Sequence, residues 1–141
     1  MHGGITGLPP GGATVTSARF TTIVLWLAGL FFLLPGIWAF VAPHSFYDQL
    51  ATFAPYNRHL VHDVGAFQIG IGAALLLATR WDDAKFVVLA GAAAGASVHV
   101  LSHVIDRDLG GQSTDVPIFS VLAVLLLAAA VARWSTSDSS E

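Results

Sequence analysis

The sequence predicts an all-α integral membrane protein, a four-helix transmembrane bundle with both termini cytoplasmic. Three observations lead there. Of the 141 residues, 55% are hydrophobic and only 11% charged, whereas soluble domains carry about 25% charged residues. The mean hydropathy is +0.70. Four apolar stretches, at 20–42, 67–79, 86–104 and 117–132, account for nearly the whole chain, and a span needs about 20 residues. Residues 19–134 are therefore read as one transmembrane domain. A flexible Gly-, Pro- and Thr-rich tail precedes it over 1–18, and a polar tail follows over 135–141.

The first stretch follows Arg19 and has the outline of a signal peptide. It is longer than a usual signal-peptide core and lacks a small-x-small cleavage site, so it is read as a retained helix. Pro35-Gly36 should kink it, because proline removes a backbone hydrogen bond and crowds the preceding turn. Trp38, Phe40, Phe46 and Tyr47 then read as an interfacial aromatic belt, and 46–56 as a short amphipathic helix on the outer surface. The second helix is placed from about His59 to Thr79 and the third from about Ala84 to Ile105. The fourth stretch has Ser120 as its one polar residue and reads as a lipid-facing or partner-facing wall.

Four spans put both termini on one side, with Arg19, Arg80, Lys85 and Arg133, while Arg58 and Arg107 fall on the other. The positive-inside rule makes the first side cytoplasmic and the location the cell membrane. His44, His59, His62, His99 and His103 then lie near the outer face, with Asp48, Asp63, Asp106, Asp108 and Asp115.

Several function classes drop out. There is no cysteine, which excludes disulfides and thiolate-bound clusters. The net charge of −3 and the lack of a basic patch give no sign of nucleic acid. Gly70-x-Gly72 falls inside a helix, outside any nucleotide-binding context, and signals packing.

The histidines carry the functional signal, since ionisable groups in lipid are costly and tend to face a bundle interior or a site. Counted from the turn shared by helices two and three, His62 lies about 18 residues away and His103 about 19, level to within one turn. Gly91, Gly95, His99 and His103 recur every four residues, and His59, His62, Asp63, Ala66 and Gly70 share a face of the preceding helix. Packing Ala66 and Gly70 against Gly91 and Gly95, a small-xxx-small contact, would bring both polar sets together. His99-x-x-x-His103 has the spacing of two ligands to one metal. Asp106 could orient an imidazole from behind, and His62 and Asp63 could complete a four-ligand nitrogen-and-oxygen shell for Zn, Cu(II), Mn or Fe, with His59 a further first-choice ligand. Haem held by His62 and His103 is conceivable, but the glycines that would make room for it also serve close packing. The structural alternative is that Asp63 caps its helix and the imidazoles bond Ser97, Ser102 or Asp63 as interhelical glue.

The run Tyr56-Asn57-Arg58-His59-Leu60-Val61-His62-Asp63-Val64-Gly65-Ala66 resembles a motif of small four-helix membrane proteins of actinobacteria. There, Tyr-Asn-x-His-Leu-Val-x-Asp-Val-Gly opens the second helix and a His-x-x-x-His pair closes the third. These proteins are loosely similar to the DoxX-like group, some of which are associated with quinone-linked redox chemistry. The resemblance implies Asn57, His59, Asp63, Gly65, His99 and His103 as family positions and leaves His62 as an extra imidazole.

The leading expectation is a metal- or redox-centre-binding membrane protein with ligands drawn from His59, His62, Asp63, His99 and His103. It would work in the lipid bilayer as a homo-oligomer or in a larger membrane complex. The main alternative is a non-catalytic accessory subunit of such a complex, for instance a respiratory one. A small carrier is the third, though neither internal repeats nor paired broken helices support it.

Overall fold

The computed structural model describes residues 11–137, which form five helices: α1 Gly11–Val41, α2 Pro43–Gln49, α3 Arg58–Ala78, α4 Asp82–Ile105 and α5 Asp115–Ser137. Four of them are long and apolar enough to cross a membrane, over Val15–Val41, Arg58–Ala78, Asp82–Ile105 and Asp115–Ser135. The chain is thus an all-helical, multi-pass membrane protein. α1 begins at Gly11, so part of the expected N-terminal tail is helical, and α5 carries on into the expected polar tail as far as Ser137. Residues 1–10 and 138–141 of those tails lie outside the described residues.

Each long helix is made by an almost unbroken apolar run, in which every backbone polar group can be satisfied within the helix. Pro35 lies inside α1 without ending it. The surface helix is shorter and earlier than expected. Pro43 stands in the first turn of α2, where a missing N–H costs nothing, and the helix closes at Gln49, before Tyr56. Asn57 starts α3: its side-chain oxygen accepts from the N–H groups of His59 at 3.0 Å and Leu60 at 3.2 Å, satisfying two donors that a helix start leaves unpaired. Asp63 is therefore not the cap.

The packing order corrects the expected one. α1 lies between α3 and α5, α4 packs on the other side of α5, and α3 meets α4 only sparsely. Gly91, Gly95 and Gly70 have nothing within 4 Å of an added Cβ, so the expected contact of Ala66 and Gly70 with Gly91 and Gly95 does not form. Close approach occurs instead between α1 and α3. A Cβ on Gly65 would meet the Gly36 carbonyl oxygen at 2.9 Å, and one on Gly72 would meet the Leu33 backbone nitrogen at 2.7 Å. Backbone atoms cannot step aside as a side chain can, so these positions require glycine.

The main core joins all four spans, with Leu25, Leu75, Leu89 and Leu126 fully buried. α5 contributes Leu122, Ala123, Leu126, Ala129 and Ala130 to it, so it is a central helix as well as a wall. A second, smaller core of Ala39, Phe46 and Val61 ties α1, α2 and α3 together at the other end. There the loop before α3 pairs with the loop before α5 through a single bridge, Phe53 to Gly110.

Candidate functional site

The two polar sets nominated by the sequence take different partners. On α3, His59 Nε2 lies 3.5 Å from Asp63 Oδ2, with the imidazole 87% and the carboxylate 50% exposed. His62, one turn into the helix, stacks against Phe40 of α1 with ring centroids 5.1 Å apart. This set therefore belongs to the α1–α3 pair. It is joined there by an aromatic corner in which Tyr56 meets both His44 and Tyr47 in tilted ring contacts, while His44 pairs with Asp48 at 2.8 Å.

On α4, the spacing of four puts His99 and His103 on neighbouring turns, and their Nε2 atoms are 3.1 Å apart. Both rings lie against Phe119 of α5, at centroid distances of 4.5 and 4.9 Å. Phe53 reaches His103 edge-on from the bridged loop at 5.7 Å. The carboxylate behind His103 is Asp115, whose Oδ2 stands 3.5 Å from Nδ1. Asp106, the orienter favoured from its position three residues past His103, instead ends α4, its N–H donating to the Ser102 carbonyl at 2.8 Å.

Asp115 is where it is for local reasons. It opens α5, where the helix dipole favours an anion. Its Oδ2 accepts from the Gln112 N–H at 2.7 Å, across the loop that leads into the helix. The residue is only 8% exposed, so the carboxylate is held by the fold. A Cβ on Gly111 would stand 2.8 Å from the same oxygen, and its φ of +84° is a left-handed conformation that glycine accepts and a side chain would strain.

The serines considered as partners for the imidazoles turn away from them. Ser97 Oγ donates to the Ala93 carbonyl and Ser102 Oγ to the His99 carbonyl, both at 2.8 Å. The imidazole nitrogens of α4 thus face each other, and His103 also faces a carboxylate on another helix.

Chemically, this corner is a line of three groups: a fixed carboxylate, a half-buried imidazole and a more exposed imidazole one turn further into the span. Two imidazole nitrogens bound to a tetrahedral Zn at about 2.0–2.1 Å would stand roughly 3.3 Å apart, close to the spacing here. Among the described residues, no three His, Asp or Glu side chains group as a metal shell, so further ligands would have to come from outside that group. Sequence reasoning missed Asp115 as a partner of His103: an acidic residue two positions before Pro117, at the mouth of an apolar run, marks a helix start but does not say which imidazole it meets.

Fold and site together define a small multi-pass membrane protein with an imidazole–carboxylate corner at one end of its α4–α5 pair. Comparison with protein-family models, curated proteins and solved structures gives no match.

Proposed function

We propose that this protein is a cell-membrane protein with cytoplasmic termini that binds a divalent transition metal, as a structural or redox centre, through Nε2 of His99 and His103. The observation that carries the reading is the 3.1 Å approach of those two nitrogens, combined with the carboxylate at Nδ1 of His103. Carboxylate–imidazole–metal arrangements use this polarity, because the carboxylate fixes the ring and raises its basicity. His59, His62 and Asp63 are kept as rival ligands, paired among themselves and with α1.

Elemental analysis and an absorption spectrum of detergent-purified protein, loaded with Zn(II) or Cu(II) and then desalted, test this. We expect near-stoichiometric metal in the wild type and in His59→Ala/His62→Ala, and loss of it in His99→Ala/His103→Ala. Loss in the α3 variant would move the site to α3. A folded wild type that retains no metal would end the reading.

The alternative, an accessory subunit of a larger membrane complex, draws support from a different observation. Gly91 and Gly95 lie on α4 with open space around them, and small residues at such spacing let a second helix approach closely. Co-purification of a defined partner, lost when both are changed to leucine, is the result that would favour it.

A further inference from the structure

The polar line at the α4–α5 end has a direction, and the direction starts at Asp115. Its Oδ2 is held by the Gln112 N–H at 2.7 Å and faces Nδ1 of His103 at 3.5 Å. An anionic oxygen beside one imidazole nitrogen favours the proton on that nitrogen, and the hydrogen-bond partner of one ring nitrogen decides what the other can do. A neutral imidazole has one N–H, so His103 is left with a lone pair on Nε2. That nitrogen faces Nε2 of His99 at 3.1 Å. A hydrogen bond there needs one donor and one acceptor, and the donor must then be His99.

We infer that Asp115 is a positioning residue that sets opposite tautomers on the two histidines, Nδ1–H on His103 and Nε2–H on His99. His103 is thereby a ligand ready for use, whereas His99 carries a proton on the atom that would have to bind. The role of this pattern in metal binding rests on the function proposed above; the tautomers themselves do not. The protons balance without an added reagent. When a cation engages both Nε2 atoms, the Nε2 proton of His99 leaves and its Nδ1 takes one up, so the ring stays neutral and no net proton is released. The hydrogen bond between the two Nε2 atoms is replaced by two metal–nitrogen bonds.

The experiment is a long-range proton–nitrogen NMR correlation on the full chain, 15N-labelled at histidine, in detergent micelles without metal. At about pH 8, above the ordinary imidazole range near 6.5, the two rings are assigned by the loss of one signal set each in His99→Ala and His103→Ala. The wild type should show Nδ1–H for His103 and Nε2–H for His99. Asp115→Asn keeps an oxygen for the Gln112 N–H but removes the charge. It should move His103 toward Nε2–H and weaken Zn(II) binding about ten- to hundredfold. Nε2–H on His103 in the wild type overturns the inference, and so does a tautomer unchanged in a folded Asp115→Asn. If that variant does not fold, the wild-type assignment decides alone. Wild type with these tautomers but no Zn(II) binding removes the metal reading and leaves this one standing. Zn(II) bound by a protein whose metal-free His103 is Nε2–H does the reverse.

Discussion

At the scale of single residues, the run from Tyr56 to Gly65 is in large part explained by construction. Asn57 caps α3 through two backbone N–H groups, Tyr56 packs between His44 and Tyr47, Val61 is buried in the smaller core, and Gly65 allows α1 to touch α3. The ionisable groups of that run, Arg58, His59, His62 and Asp63, are not taken up by the cap, the core or the close helix contact. The cap is open to direct test. Asn57→Ala removes the acceptor and should destabilise the protein by about 1 kcal/mol, with Asn57→Asp close to wild type; thermal unfolding in detergent compares the three. Equal midpoints for Ala and wild type would mean that water or lipid headgroups serve those donors as well. The same scale shows what could be read from sequence. The His99–His103 pair was legible, because a spacing of four on one helix fixes two side chains on neighbouring turns whatever surrounds them. Its carboxylate was not, because Asp115 meets His103 only through the closure of the loop between α4 and α5, which local periodicity does not encode.

At the scale of helices, small-residue spacing proved informative about closeness and uninformative about partner. Gly91 and Gly95 have the four-residue interval of a packing motif, yet they are open, while the glycines that touch another helix stand two turns apart, Gly29 and Gly36 on α1, Gly65 and Gly72 on α3. An interval of four and an interval of seven both leave a groove along a helix. Which groove is filled depends on the large side chains beside it, such as Leu33 and Leu76 here, and on loop lengths that decide which helices meet. The contrast gives a paired prediction. Gly65→Ala and Gly72→Ala place a methyl group against backbone and should cost about 1–3 kcal/mol each through overpacking. Gly91→Ala and Gly95→Ala meet open space and should be neutral or slightly stabilising, by up to about 1 kcal/mol, from helix propensity alone. Denaturation of the four variants in mild detergent reads this directly. Destabilisation by the α4 pair in native membranes but not in dilute detergent would reveal a partner helix on that face.

At the scale of the whole molecule, the four spans and their number were legible from composition and hydropathy, because a bilayer demands long apolar helices wherever the chain crosses. Their orientation rests on charge. One end of the bundle carries Arg19, Arg80, Lys85 and Arg133, with Lys85 paired to Asp82 and Arg133 donating to the Asp82 carbonyl. The other carries Arg58 and Arg107, the bridged loops and the imidazole corner. Acidic neighbours do little to cancel the positive-inside bias, which counts lysine and arginine near span ends, so the Asp82 contacts leave the expected orientation unchanged. The chain has no cysteine, and a single introduced thiol is therefore a clean reporter. Thr114→Cys, in the loop before α5, should react with a membrane-impermeant maleimide added to intact cells, and Asp83→Cys, at the start of α4, only after the membrane is opened. The opposite labelling would put the His99–His103–Asp115 corner on the cytoplasmic side. The metal proposed for it would then come from the cytosolic pool, and the few cations on the loops would have to be outweighed by a topogenic signal elsewhere, with residues 1–10 the first segment to alter.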